Sequence, residues 1–153
     1  MHHNLCHDVQ SYSYGGWGLY FDQATSNVSM HDNLIYNTRC APFMHHWGQN
    51  NTFTNNILIS NTSDCYASGA LQSQPGDIDI SFAFERNVVY IESGMLFGPS
   101  APGGKAWSDP NQTLSFDQNT SVYLGKCPCC RMHNRGNLLT CLCMIDQYVH
   151  GVA

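Results

Sequence analysis

Five asparagines recur at the same place in a short repeated sequence, and their spacing limits the folds open to this chain. Each one precedes a β-prone run, such as residues 34–36 and 57–59. The asparagines are Asn4, Asn33, Asn56, Asn87 and Asn119, which gives spacings of 29, 23, 31 and 32 residues. A coil of three short strands and three turns needs about 20 to 25 residues. The shortest spacing therefore predicts a bare coil of a β-solenoid, and the longer ones predict coils with loops inserted on one side.

Asparagine suits this repeated position for two physical reasons. It tolerates the left-handed backbone that a sharp corner needs, and stacked copies can hydrogen-bond in a ladder along the solenoid axis. Leucine-rich repeats also use asparagine, but they need a fixed, leucine-dense period of about 20 to 29 residues. The irregular spacing excludes that alternative.

Composition excludes two classes of partner. The 153 residues carry a formal net charge of −5 and only 6 lysines and arginines, so no basic stripe is present to bind nucleic acid. No apolar run approaches the roughly 20 residues of a membrane span, so no membrane partner is expected. The first residues lack a signal-peptide pattern, but sequons such as Asn27-Val28-Ser29 favour an extracellular location. That signal is weak in a chain so rich in asparagine and threonine.

A change of composition divides the chain. Residues 1–125 are expected to form a parallel β-helix of four to five coils, truncated at its start because His3 to Leu5 already resemble the end of a coil. The missing coils of a longer parent chain would then be its structural partner. Residues 126–153 are expected to be a cysteine-rich tail outside the solenoid, either disordered or a gene-model artefact.

The cysteines do not predict a metal or another cofactor. Those in the tail are spaced C-x-C rather than C-x2-C, which argues against zinc. Cys6, Cys40 and Cys65 are scattered and are expected to be small core residues.

Alternation predicts an outward-facing polar strip. If Leu19 and Phe21 face the core, Tyr20 and Asp22 share the outer face. One coil later, Phe43 inward places Met44 and His46 outward, each 24 residues after its counterpart. Adjacent coils lie about 4.8 Å apart, so Asp22 and His46 are predicted to be stacked neighbours.

The strip is expected to continue for one more coil and then stop. Gln72 and Gln74 are the predicted outward residues there, and the following run at residues 94–97 has no histidine or carboxylate. Residues 79–84 alternate most clearly, which predicts Ile80, Phe82 and Phe84 inward.

With these patterns in view, the chain resembles the right-handed parallel β-helix proteins of the pectate-lyase-like class. More narrowly, it is similar to β-helix proteins with a Tyr-Gly-Gly-Trp-Gly-Ile-Tyr-Thr-Asp-Glu stretch followed by Gly-Phe-His-Gln-His-Tyr-Gly. Residues 14–23 carry the first stretch and residues 42–48 the second, and residues 81–90 also fit. The resemblance covers about residues 3–124 and implies the same fold.

Some members of that group are glycoside hydrolases, so the resemblance implies an enzyme acting on a polysaccharide with two carboxylates around the glycosidic bond. Asp22 matches the first acid of the family's Asp-Glu pair, and His46 matches its second histidine. Gln23 replaces the glutamate and Met44 replaces the first histidine. Because glutamine cannot exchange a proton, Gln23 would serve only to hold a hydroxyl.

Two function classes therefore remain open. In the enzyme hypothesis Asp22 is the general acid or base, His46 orients or protonates it, and Asp8 or Asp64 is the second carboxylate. Elimination by a lyase is less favoured because the strip has no basic residue. The alternative is a carbohydrate-binding or structural solenoid without turnover. The expected substrate-binding residues are Trp17, Tyr20, Gln23, His45, Trp47 and Gln72.

Overall fold

The computed structural model describes residues 1–61, 69–74, 81–98, 113–124 and 140–149, and every regular element among them is a β-strand. The thirteen strands are β1 (Leu5–Val9), β2 (Leu19–Phe21), β3 (Ser29–His31), β4 (Leu34–Thr38), β5 (Phe43–His46), β6 (Asn51–Thr54), β7 (Ile57–Ser60), β8 (Gly69–Gln74), β9 (Ser81–Glu85), β10 (Val88–Ile91), β11 (Met95–Phe97), β12 (Thr113–Leu124) and β13 (Thr140–Val149).

Parallel pairing stacks these strands into a β-solenoid of about three turns. A four-stranded sheet runs in the order β11-β8-β5-β2. A nine-stranded sheet runs β1-β4-β7-β10-β12-β9-β6-β3, with β13 attached to β12. The all-β parallel solenoid expected from the sequence is confirmed, while its right-handedness and its four to five coils stay predictions.

One corner of the solenoid has constant length and the others do not. Two residues separate β3 from β4, β6 from β7 and β9 from β10. By contrast, three to fifteen residues separate the strands of the four-stranded sheet from the strands that precede and follow them. Loops of variable length therefore flank the four-stranded sheet at both ends of its strands.

At the constant corner, the left-handed backbone conformation falls on the residue before the asparagine and not, as was expected, on the asparagine itself. The residue before each repeated asparagine has a positive φ of 52° to 56°: His3, Asp32, Asn55, Arg86 and Gln118. The asparagines themselves do not. Since a left-handed conformation costs a non-glycine residue about 1 to 2 kcal/mol, the asparagine that follows must fix this corner by other means.

A continuous ladder of hydrogen bonds supplies that constraint. The Oδ1 of Asn56 accepts bonds from the backbone N–H and the Nδ2 of Asn33, at 3.0 and 2.8 Å. The same pair of bonds joins Asn4 to Asn33, Asn56 to Asn87 and Asn87 to Asn119. The four later asparagines are at most 3% exposed. The predicted asparagine ladder is confirmed.

Phenylalanine rings fill the interior in stacked columns. Phe53 and Phe84 are opposite each other on β6 and β9, with parallel rings 5.3 Å apart, and Phe84 is followed by Phe116 at 5.6 Å. Phe82, 3% exposed, and Phe84, 1% exposed, face inward as predicted. Ile80 lies outside the described residues. The core therefore repeats from coil to coil along the axis.

The last strand departs from the parallel pattern. β13 pairs antiparallel with β12 and so extends the nine-stranded sheet with residues of the cysteine-rich segment. The division at residue 125 stays a prediction, although residues 140–149 are attached to the sheet.

The two described cysteines outside this strand differ. Cys6 is a free thiol packed against the core, whereas Cys40 is fully buried, as expected of a small core residue, and is also disulfide-bonded. Cys65 lies outside the described residues.

Among the described residues, none belongs to a helix with the length and apolar character needed to span a bilayer.

Candidate functional site

The outer face of the four-stranded sheet carries the candidate site. Strand register places Tyr20 opposite Met44 and Met44 opposite Gln72. The next residue pair, Phe21 with His45, faces inward, so Asp22 comes beside His46 one position further on. The inward rings are buried, with Phe21 and Phe43 at 0% exposure. The predicted stacking of Asp22 and His46 is confirmed.

Three polar groups from two coils meet on this face. His46 Nδ1 lies 3.0 Å from the Tyr20 hydroxyl and 3.4 Å from Asp22 Oδ1. The rings of Tyr20 and His46 are stacked, with an angle of 4° between their planes. Asp22 is exposed, with 71% of its side chain accessible, whereas the side chain of His46 is only 11% accessible. An exposed carboxylate thus lies beside a nearly buried imidazole.

This geometry favours one tautomer of neutral His46. Because an ionised carboxylate only accepts hydrogen bonds, a proton on Nδ1 is stabilised between Asp22 and the Tyr20 oxygen. We therefore assign the proton to Nδ1. Nε2 then carries the free lone pair, and it has no hydrogen-bond partner within the described part of the chain.

The electrostatics keep Asp22 ionised. The backbone N–H of Gln23 donates to Asp22 Oδ1 at 2.8 Å and is the main cause of a lowered pKa for this carboxyl. The nearby Tyr20 hydroxyl and His46 lower that pKa further. Conversely, burial and the Asp22 charge raise the pKa of the Tyr20 hydroxyl. A carboxyl with a lowered pKa stays ionised, which suits a nucleophile or a group that stabilises positive charge, but makes it a weak general base and unsuited to be a general acid.

A row of aromatic rings runs alongside these polar groups. Tyr14 contacts Trp17 edge-on at 5.2 Å, Trp17 contacts Tyr20 at 5.1 Å, and Trp47 contacts His46 edge-on at 6.3 Å. Tyr14 is exposed, at 61%. The rings of Tyr14, Trp17 and Tyr20 thus form a contiguous cluster beside the polar strip, whereas Trp47 also packs against the hydrophobic core.

Trp17 crosses the sheet and covers part of the strip. Its Nε1 donates to Gln72 Oε1 at 2.6 Å, so it spans from the first coil to the third. Met44 lies between Tyr20 and Gln72 in the register and is 4% exposed, although it occupies an outward position. Gln72 is 6% exposed. It therefore holds the Trp17 ring in place, and its expected role as a substrate contact gains no support.

The turn that carries Asp22 and Gln23 is fixed by the next coil. Thr25 N–H donates to Asp22 O at 3.0 Å, and Ala24 N–H donates to Trp47 O at 3.0 Å. Gly48 permits this close packing, because a Cβ there would lie 2.0 Å from Thr25 O. Gln23 itself is exposed. Its side chain, like the rings of Tyr20, Trp17 and Trp47, remains a predicted substrate contact.

One predicted substrate contact is wrong. His45 was expected among the substrate-binding residues, but it alternates with His46 and points into the core, where it is 0% exposed. Its ring stacks on Phe82 at 4.8 Å and meets Phe21 edge-on at 5.5 Å. Asn51 Nδ2 donates to His45 Nε2 at 3.2 Å, while Nδ1 of His45 has no hydrogen-bond partner among the described residues. Burial lowers the pKa of His45 to about 4.

The described part of this face carries one carboxylate, Asp22. Asp8, one of the two expected second acids, is on β1 of the nine-stranded sheet, where it pairs with His7 at 2.7 Å and with Asn37. It is therefore not part of this face. Asp64 lies outside the described residues. Within that described part, no three histidine, cysteine, aspartate or glutamate side chains converge as metal ligands would.

Asn51 is the residue that sequence reasoning missed. It is 1% exposed, and besides contacting His45 it donates to Thr25 O at 2.6 Å and accepts from Val28 N–H at 3.0 Å. A sequence signal for this corner did exist. Asn27 and Asn50 are also 23 residues apart, and Asn50 Nδ2 donates to Asn27 Oδ1 at 2.7 Å.

Comparison with protein-family models, with curated proteins and with solved structures finds no match for the chain, so the fold and the candidate site rest on the geometry described above.

Proposed function

We propose that the protein is a carbohydrate-active β-solenoid, and that the outer face of its four-stranded sheet binds an oligosaccharide or polysaccharide. This proposal rests on one observation: Asp22, His46 and Tyr20 lie within hydrogen-bond or ion-pair distance of each other on one face, beside a cluster of aromatic rings. Sugars present both apolar ring faces and hydroxyl groups. Aromatic rings with polar handles next to a carboxylate complement that combination.

Parallel strands give the surface its extended form. Tyr20 and Asp22 come from one coil and His46 from the next, so the polar groups of the site span two coils along the solenoid axis. Since coils are about 4.8 Å apart, the surface suits a linear chain of sugar rings. The disulfide at Cys40 supports an extracellular location, because such bonds persist in oxidising compartments.

The second candidate function is hydrolysis of the bound glycan. It is favoured by the arrangement around Asp22, in which a carboxyl with a lowered pKa lies beside a histidine whose Nε2 is free within the described part of the chain. In this proposal Asp22 is the ionised nucleophile or charge-stabilising carboxylate, and His46 is held by Asp22 and Tyr20. A glycosidase needs a second carboxyl group about 5 to 9.5 Å away, and Asp64 is the remaining residue proposed for that role.

Asp22→Asn tests both functions. Removing the charge while keeping the shape should lower glycan affinity about tenfold, since hydrogen bonds to a charged group are the stronger ones. If the protein hydrolyses the glycan, release of reducing ends should fall by about 100-fold or more. Affinity is measured by calorimetry against a glycan panel, and turnover by reducing-end release.

Asp32→Asn is the matched control. Asp32 also pairs with a neighbouring histidine, at 2.7 Å from His31 Nδ1, and it too has a lowered pKa, but it lies at the constant corner of the nine-stranded sheet. This variant should leave affinity and turnover unchanged. Glycan binding without any released reducing ends identifies a binding protein. Equal affinities for the two variants and the original chain would contradict the assignment of Asp22.

A further inference from the structure

We infer that the glycan bound on this face is neutral where it contacts Asp22, so that the protein discriminates against uronic acids. This inference rests on the proposed function and adds the chemical class of the ligand. Pectate-like polymers carry a carboxylate on every ring. A site that binds them directly, without a bridging metal ion, needs basic side chains, and the exposed Asp22 carboxylate provides the opposite charge.

The strip itself carries a negative charge at Asp22. Asp22 projects into solvent, and the neighbouring groups that shift its pKa, the Gln23 N–H, the Tyr20 hydroxyl and His46, all lower it. The carboxylate therefore keeps its charge at neutral pH. A sugar ring that touches Tyr20 or Gln23 lies next to this negative charge.

The two arginines of the described residues bond to groups other than Asp22. Arg39 donates from Nη1 to Ser11 O at 3.0 Å and to Ser11 Oγ, which ties it to the loop before β2. Arg86 donates to Glu85 and to Asn55, at the constant corner of the nine-stranded sheet. Within the described part of the chain, no lysine or arginine bonds to Asp22, Tyr20 or His46, so none neutralises the charge of Asp22 directly.

Three segments that connect strands of the solenoid are acidic in composition. Residues 62–68, 75–80 and 99–112 join strands of the four-stranded sheet to their neighbours, and together they contain four aspartates and one lysine. The aspartates are Asp64, Asp77, Asp79 and Asp109, and the lysine is Lys105. The composition of these segments adds negative charge, as does the net charge of −5 for the whole chain.

Coulomb's law sets the scale of the discrimination. Two unit charges about 4 to 6 Å apart in water repel by enough to change an equilibrium constant about threefold or more, and by more where water is partly excluded. Salt screens the interaction between exposed charges. The ratio of neutral to acidic affinity should therefore exceed about threefold at low ionic strength and shrink as salt is added.

Oligosaccharide pairs that differ only at C6 provide the test. The probes are galactose, glucose and mannose oligomers, each matched with its uronate counterpart and with the methyl ester of that uronate. Calorimetry or a glycan array at low salt should show binding of at least one neutral oligomer, weaker binding of its uronate, and recovery of binding with the methyl ester. In Asp22→Asn the affinity ratio should fall towards one, whatever the absolute affinity.

Asp32→Asn separates local repulsion from overall charge, because it removes the same charge far from the strip. It should leave the affinity ratio unchanged. If no neutral or acidic oligomer binds, the proposed function fails. If a uronate binds as tightly as its neutral counterpart, the proposed function stands and the inference about its ligand is overturned. A preference for neutral sugars that Asp22→Asn does not alter would equally overturn the role assigned to Asp22.

Discussion

Asn56→Ala is expected to destabilise the protein by about 3 to 5 kcal/mol. Asn56 is 1% exposed and is bonded in both directions along the ladder. Its Oδ1 accepts two bonds from Asn33, and its Nδ2 donates to Met30 O, Thr54 O and Asn87 Oδ1. Alanine would leave buried donors and acceptors without partners, and each costs about 1 to 3 kcal/mol.

The end of the same ladder provides the control. Asn4→Ala deletes the same atoms, but Asn4 is exposed, and within the described part of the chain its Nδ2 donates to His2 O and Asn33 Oδ1 alone. Water can replace those bonds, so a loss below about 1 kcal/mol is expected. Urea unfolding followed by circular dichroism gives both values. Equal losses for the two variants would mean that the ladder does not hold the corner.

The ladder also explains how much of the fold follows from the sequence. The spacing of the asparagines identifies the coil length, because only a residue that contacts its own copy one coil away is required at that interval. It does not say which residue bends the chain. The left-handed position falls on the preceding residue, which is histidine, aspartate, asparagine, arginine or glutamine, so composition there carries no signal.

Period-two alternation predicted the faces of the strands but not what covers them. It correctly placed Asp22 beside His46, and the same alternation requires His45 to be inward. The prediction that His45 binds substrate followed from its polar residue type alone and contradicted this alternation. The pattern also could not show that Trp17 crosses two coils to reach Gln72, because that contact is set by the course of a loop. Loop geometry has no fixed period.

Acid is expected to destabilise the protein through His45, and His45→Phe should remove that sensitivity. The buried ring has a pKa of about 4, below the ordinary value of 6.5, so the unfolded chain binds more protons between these two pH values. Stability is therefore fully present above about pH 6.5 and is lost as the pH falls towards 4, by up to about 3 kcal/mol. Protonation would also end the bond that Nε2 accepts from Asn51.

The effect should extend to the candidate site, since Asn51 joins His45 to the turn that carries Asp22 and Gln23. Asn51 Nδ2 donates both to His45 Nε2 and to Thr25 O. When His45 Nε2 gains a proton, its N–H faces the N–H of Asn51 Nδ2 inside the core. Asn51 is then pushed away, and the turn loses part of its support from Asn51. The protection factors of the amides at residues 22–28, which correct for the slower intrinsic exchange in acid, should therefore decrease between pH 6.5 and 4.

Urea unfolding from pH 7.5 to pH 4 measures the prediction. His45→Phe keeps an aromatic ring against Phe82 and should lose markedly less stability over this range than the original chain. His7→Phe is the control, because His7 also stacks on an aromatic ring, Tyr36 at 5.0 Å, but is exposed. It should keep the acid sensitivity. If His45→Phe and His7→Phe lose the same stability between pH 6.5 and 4, the buried imidazole is not the group that acid attacks.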